Sequence, residues 1–300
     1  MNNLLSYLKE RFPLTINIPI IFIFNITLYL GAGISENKII FSNTVIPGFI
    51  AIFLVFFHLR LFDDLKDYSK DSKTHLMTQK QIKYLAFFTI LLEIILVLMV
   101  GLIPLLFYLI VLLYSILMLY EFFIAEKLAK KILLYNLSHQ FIIVLIGLYI
   151  YSFYYKTYNV NDPVFLIYLF LMLSSLSIFE IIRKIKDKDE VGYKKSYEYL
   201  FGKTRFAMYT AIFSLLVGIS SFVILFYTLK NQIAYILQVI MTLFALMILI
   251  GYSKQFSKIT NKSIKKIIIG YLLFSILLLD LTVLLSKDII VNLLLWSIVL

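Results

Sequence analysis

FDDLKDYSKD, residues 62–71, follows directly on FSNTVIPGFIAIFLVFFHLRL, residues 41–61. Four aspartates, Asp63, Asp64, Asp67 and Asp71, crowd into nine positions, with Lys66 and Lys70 among them. The preceding 21 residues are predominantly apolar. An acidic cluster at the mouth of a segment suited to lipid needs a chemical reason.

Composition sets the class. The hydrophobic fraction is 62% and the charged fraction 15%, against about 45–50% and about 25% in soluble domains. Most of the chain therefore needs a solvent other than water. There is no cysteine, which excludes a disulfide framework, a thiolate metal site and a cysteine nucleophile. The N-terminal MNNLLSYLKERF carries an acid, two bases and too short an apolar core for a cleaved leader.

Crossing the hydrocarbon core takes about 20 apolar residues. Nine stretches qualify, at 14–33, 43–62, 82–100, 102–120, 132–153, 164–182, 206–228, 232–252 and 266–285. Gly101 and Pro104 divide what is otherwise one long apolar run, so a tight turn is expected there. The segment DIIVNLLLWSIVL, 288–300, is too short to span and is expected at the interface. The whole chain, 1–300, reads as a single all-α polytopic membrane domain.

The basic residues sort by loop. With the N-terminus inside, 24 of the 28 Lys and Arg fall on the inner side, and only Lys38, Lys156, Lys230 and Lys287 fall outside. Basic residues are retained on the cytoplasmic face, so the expected orientation is N-in and C-out. The net charge of +11 is then a topology signal. No aromatic and basic domain outside the spans supports nucleic-acid binding.

Asp64, Asp67 and Asp71 fall at i, i+3 and i+7, and Asp63 stands at i−4 from Asp67. On a helix these share a face, where like charges repel unless a cation sits among them. One reading is a solvated helix end, with Lys66 and Lys70 pairing the acids. The other is magnesium, a hard ion that takes oxygen ligands and bridges to phosphates. A second cluster, FEIIRKIKDKDEVGYKKSYEYLFGKTRF at 179–206, again follows a span. Glu180 lies in the last turns of that span, where an ionisable group is costly and marks a candidate functional position. Glu180, Arg183, Lys184 and Asp187 fall at i, i+3, i+4 and i+7. Two such clusters suit two magnesium ions around one diphosphate. Arg60, Lys73, Arg183 and Lys184 supply further positive charge, arginine in bidentate form.

These residues resemble the UbiA-type membrane prenyltransferases, over nearly the whole chain. That family has nine transmembrane helices around a central cavity, an N-in orientation, and two aspartate-rich motifs after helices two and six. Its first motif reads Asn-Asp-x-x-Asp-x-x-x-Asp; here Asp63 to Asp71 match, with Asp63 in place of Asn. FEIIRK is similar to a bacterial branch that reads Phe-Glu-x-x-Arg-Lys, with Glu180 where many members have Asp. The family's Arg-Pro pair after the first motif is absent: the stretch is THLMTQKQ, 74–81, and Lys73, His75 or Lys80 would have to substitute.

The resemblance implies magnesium-dependent transfer of a prenyl group from an isoprenyl diphosphate to an acceptor, in a bacterial or archaeal plasma membrane, with the active site facing the cytoplasm. It implies metal ligation by Asp63, Asp64, Asp67, Asp71, Glu180 and Asp187, with Asp64, Asp67 and Asp187 central to catalysis. It leaves the acceptor, aromatic or lipid-like, open.

Further polar residues lie within spans. LLYNLSHQFII places Asn136 and His139 in an apolar helix. They line an acceptor pocket or make helix–helix hydrogen bonds. Asn25 carries the same two readings. Glu93 and Asp280 read as interfacial or paired residues. Tyr193, Tyr197 and Tyr199 either close over the diphosphate or form an interfacial belt. The competing classes are a transporter and a non-catalytic prenyl-diphosphate scaffold. Against a transporter, no internal repeat is visible and the strongest polar signal is at one membrane face rather than mid-bilayer.

Overall fold

A computed structural model describes residues 2–37, 39, 45–68, 76–129, 131–156, 162–186, 197–254 and 260–286. The described residues are helical, with no strand. In chain order the helices are α1 (Asn2–Arg11), α2 (Leu14–Ser35), α3 (Val45–Lys66), α4 (Gln79–Val100), α5 (Leu102–Leu119), α6 (Ala125–Ala129), α7 (Ile132–Gln140), α8 (Ile142–Tyr155), α9 (Pro163–Arg183), α10 (Tyr197–Phe201), α11 (Lys203–Val223), α12 (Gln232–Ser253) and α13 (Asn261–Ser286). Nine helical segments among them are long and apolar enough to cross a membrane, with mean hydropathy from 1.5 to 2.7. Helices α7 and α8 together supply one of these, Leu134–Tyr155. The chain is an integral membrane protein of nine candidate spans, as the apolar runs predict.

Local chemistry fixes the helix ends. Thr78 caps α4: its Oγ1 accepts from the Gln81 N–H at 3.3 Å, and Gln81 Oε1 accepts from the Thr78 N–H at 2.8 Å. Asn231 caps α12 by accepting from the Ala234 N–H at 3.0 Å. Between α4 and α5 stands a single residue, Gly101, with φ 149° and ψ 177°. Only glycine holds that conformation without strain. Pro104, third residue of α5, lacks an N–H that would have no partner in the first turn anyway. Gly101→Ala is therefore expected to destabilise the protein by about 1–3 kcal/mol through its backbone. The nearest atom to an added Cβ, Pro104 Cδ, lies 4.0 Å away, so no clash contributes. A lowered melting temperature in detergent checks this.

The chain divides into two compact units, Met1–Asp162 and Pro163–Leu300. In the first, α3 packs on α4, α5 on α8 and α2 on α8. Phe87, Met99, Leu102 and Leu113 are exposed, as residues facing lipid should be. The buried polar groups pair across helices. Asn25 Nδ2 donates to the Tyr154 hydroxyl at 2.9 Å, which joins α2 to α8. Glu93 is a paired residue: both its oxygens meet His58 Nδ1 at 2.9 Å, and the Tyr108 hydroxyl donates to it at 2.6 Å.

In the second unit α11 packs on α9 and α12, and α12 packs on α13. The contact between α11 and α12 is made close by Gly218, where a Cβ would lie 2.5 Å from Thr242 Oγ1 and Cγ2. Gln238 Nε2 donates to Ser275 Oγ at 3.0 Å, and the Tyr271 hydroxyl donates to the Ser214 carbonyl at 2.8 Å. These bonds join α12 to α13 and α13 to α11. Asp280 is buried in α13. The end of α11 widens into a π-helical turn, Ile224–Thr228. The segment 288–300 lies outside the described residues.

α3 runs through Lys66, so Asp63 and Asp64 belong to its last turn, as the helical spacing of the acids predicts. One local feature was not foreseen: residues 2–11 form a helix of their own, α1.

Candidate functional site

Asp64 sits at the end of α3 and is fully buried. Three groups surround its carboxylate. The Tyr7 hydroxyl donates to Oδ2 at 2.6 Å. Arg11 donates from Nε to Oδ1 at 3.1 Å and also approaches through Nη2. Arg60, one turn earlier on α3, reaches Oδ1 through Nη2 at 2.9 Å. Tyr7 and Arg11 are four residues apart on α1, so one face of that helix delivers both. Burial first, and then the bond to Asp64, push the Tyr7 phenol well above the usual tyrosine range. It remains a hydrogen-bond donor at any physiological pH.

Asp63, the next residue back, is half-exposed and turns to a second group of partners. Lys66 Nζ lies 3.3 Å from Asp63 Oδ1 and 3.4 Å from the Tyr135 hydroxyl. The Tyr135 ring stacks on His139, with centroids 4.2 Å apart. His139 Nδ1 stands 2.9 Å from the Tyr135 carbonyl oxygen, and its buried Nε2 has no hydrogen-bond partner among the described residues. The turn from α5 to α6 passes through Glu121, Phe122 and Phe123 with φ of 49°, 55° and 58°. Three successive left-handed residues are strained, and Phe122 packs edge-on against the His139 ring. Asn136 is buried in α7.

Asp67 follows on the next turn, its N–H bonded to the Asp63 carbonyl at 3.0 Å. Asp71 and Lys73 lie outside the described residues. So does Asp187 in the second motif. Of that motif the structure describes Glu180, Arg183 and Lys184, at the end of α9. Arg183 holds Glu180 through Nη2 at 2.7 Å and Nε at 3.0 Å, and Lys184 Nζ holds it at 2.8 Å. Lys184 also lies over the Tyr197 ring, 5.3 Å from its centroid. Arg183 is largely exposed. Tyr193 lies outside the described residues.

Each motif thus shows an acid held by basic residues: Asp64 by Arg60 one turn earlier and by Arg11 from α1, and Glu180 by Arg183 and Lys184 one turn on. Around Asp64 there are two guanidinium groups to one carboxylate. Among the described residues, no three His, Asp or Glu side chains gather closely enough for a metal ion. The donors present, Asp63, Asp64 and Asp67, are all carboxylates at helical spacing, the chemistry a hard divalent ion takes.

Sequence reading missed Tyr7 and Arg11. The signal was present in α1, where Leu4, Tyr7, Leu8 and Arg11 fall at i, i+3, i+4 and i+7. It is too short to stand out beside nine membrane spans.

No protein-family model matches the chain, and no curated protein matches it. A solved structure does. It comes from work on digeranylgeranylglyceryl phosphate synthase in membranes. Its fold matches with a TM-score of 0.63, at 21% identity, over 94% of this chain and 99% of that one. The likeness extends through both units and shows a shared fold.

Proposed function

We propose that the chain is a membrane prenyltransferase that moves a prenyl group from an isoprenyl diphosphate to an acceptor. One observation carries the reading. At the mouth of an apolar span, Arg11, Arg60 and Lys66 gather around Asp63 and Asp64. That combination suits a molecule with a greasy tail and a polyanionic head. The fold shared with a structure from work on digeranylgeranylglyceryl phosphate synthase supports the same class.

Magnesium suits the carboxylates of each motif, Asp63, Asp64, Asp67 and Asp71 in the first and Glu180 and Asp187 in the second, which would hold it and let it neutralise charge on a departing diphosphate. The protein's own cations do the rest. Arg11 and Arg60 present guanidinium forks that bind phosphate oxygens in pairs. Lys66 adds a point charge, and Lys73, Arg183 and Lys184 extend the positive surface of the two motifs. Tyr7 keeps its proton and donates it in a hydrogen bond to Asp64, holding that carboxylate in place. As the bond from carbon 1 to the diphosphate breaks, its electron pair leaves with the phosphate, and the guanidinium and ammonium donors meet the growing charge. Asn136 and His139 face the acceptor in this reading.

The test is diphosphate release by purified protein from geranyl, farnesyl and geranylgeranyl diphosphates, with and without magnesium, across an acceptor panel. Magnesium-dependent release, abolished in Asp67→Ala and in Asp187→Ala, is the expected result. No release and no binding of any prenyl diphosphate overturns the reading and brings a transporter or scaffold forward.

The proposed orientation is N-in, with the motifs on the cytoplasmic face. The chain has no cysteine, so single cysteines report directly. Ser253→Cys is expected to resist a membrane-impermeant maleimide in intact cells, and Lys230→Cys to react. The reverse pattern inverts the topology.

A further inference from the structure

We propose that His58 is the catalytic base that accepts the proton of a hydroxyl-bearing acceptor, with Glu93 as its positioning residue. The inference rests on the prenyl-transfer reading and adds to it the acceptor class and a proton route.

His58, Phe62 and Lys66 fall at i, i+4 and i+8 on α3 and form one stripe. Lys66 belongs to the charged end, with Asp63 and Tyr135. Phe62 is buried one turn down, and its ring leans on the His58 imidazole with centroids 5.4 Å apart. His58 is a further turn down, about 12 Å from Lys66 along the helix axis. The order along the stripe is cation, aromatic ring, imidazole. It matches what the reaction needs in sequence: a group for the leaving phosphate, an electron-rich face beside the allylic cation, and a base for the nucleophile.

The neighbourhood of His58 is built for proton acceptance. Its Nδ1 lies 2.9 Å from both Glu93 oxygens. Glu93 is held in turn by the Tyr108 hydroxyl at 2.6 Å. His58, Glu93, Tyr108 and Tyr149 are all fully buried, and the Tyr108 and Tyr149 rings lie 5.8 Å apart. A carboxylate on Nδ1 fixes the N–H there and leaves Nε2 as a lone-pair acceptor. Nε2 has no hydrogen-bond partner among the described residues, and neither has the Tyr149 hydroxyl. Buried polar atoms are normally satisfied; two orphans in one ionisable cluster mark a place for a polar group from outside the chain. Joining α3 to α4 and α4 to α5 needs only the contacts of Glu93 with His58 Nδ1 and with the Tyr108 hydroxyl. It gives no role to Nε2.

The chemistry balances. The acceptor oxygen bonds to carbon 1 of the prenyl chain. The bond from carbon 1 to the diphosphate breaks and its electron pair goes to the diphosphate. The hydroxyl proton passes to His58 Nε2, and Glu93 balances the imidazolium.

The experiment uses the full chain in lipid nanodiscs with geranylgeranyl diphosphate, and 4-hydroxybenzoate and glycerol phosphate as phenol and alcohol probes. Binding of geranylgeranyl thiodiphosphate is measured separately. His58→Gln is expected to bind the thiodiphosphate within about threefold of wild type and to lose at least about 100-fold in prenyl transfer. Glu93→Gln preserves an acceptor for Nδ1 but removes the charge that favours imidazolium. It is expected to lower kcat by at least about tenfold while leaving the acceptor KM within about threefold, a split that a packing role would not produce. It also serves if His58→Gln fails to fold. Transfer by His58→Gln within threefold of wild type, or an unchanged kcat in Glu93→Gln, overturns the inference and leaves the transferase reading standing. Wild type that binds the thiodiphosphate and alkylates neither probe also overturns it. Wild type that binds no prenyl diphosphate overturns both.

Discussion

Asp64→Asn is expected to cost both activity and stability. Asparagine keeps the shape of the side chain and an oxygen for the Tyr7 hydroxyl. It removes the carboxylate charge that the Arg11 and Arg60 guanidinium groups share. Deleting one partner of a buried ion pair costs about 3–5 kcal/mol, because the other is left uncompensated. Arg60 keeps part of its hydration, which places the effect at the low end. Diphosphate release is expected to fall by about a thousandfold, because Arg11 and Arg60 lose the carboxylate that orients them toward the developing charge. Asp67→Asn separates the two effects. Asp67 lies one turn on and is partly exposed, so it is expected to lose comparable activity with a melting temperature close to wild type. Parallel turnover and thermal denaturation of the two variants check the difference.

Gly218→Leu is expected to abolish folding of the second unit. An added Cβ at residue 218 would meet Thr242 Oγ1 and Cγ2 at 2.5 Å and Thr242 Cβ at 3.0 Å. Thr242 cannot swing away freely. Its Oγ1 donates to the Gln238 carbonyl at 2.8 Å and lies 3.2 Å from the Tyr271 hydroxyl. Close approach through small residues is how helices associate where lipid removes the hydrophobic drive. Gly218→Ala carries the same first clash and should cost about 1–3 kcal/mol. The double variant Gly218→Ala, Thr242→Ala should recover most of that loss, since the two sites are in contact and do not add. Gel filtration and thermal unfolding in detergent read both outcomes. Equal stability of the single and double variants rejects the clash as the cause.

The spans were legible because hydrophobic length is a local property. Each apolar run names a span, although 132–153 breaks at Phe141 into α7 and α8, and Gly101 with Pro104 names the break between α4 and α5. The acid spacing at 63–71 was legible for the same reason: three- and four-residue intervals are written along the chain. What holds those acids was not. Tyr7 meets Asp64 across 57 residues and Arg11 across 53, and no pattern within α3 points to either. His58 and Glu93 are 35 residues apart. Read singly, Glu93 is a charge in an apolar helix, and nothing local tells a paired acid from an interfacial one. Asn25 shows the same limit, since its partner Tyr154 lies 129 residues on. Sequence spacing gives faces of one helix; which face meets which is decided by packing.

With one residue between them, α4 and α5 cannot enter the bilayer separately during synthesis. They must leave the insertion machinery as a hairpin, turned at Gly101. An isolated α4 would carry the Glu93 carboxyl into hydrocarbon at a cost of several kcal/mol. The hairpin arrives with Tyr108 already positioned across from Glu93, and with His58 on the helix inserted just before. The polar centre of the first unit is thus assembled as the chain emerges, and lengthening the link at Gly101 would delay that assembly before it altered the finished protein.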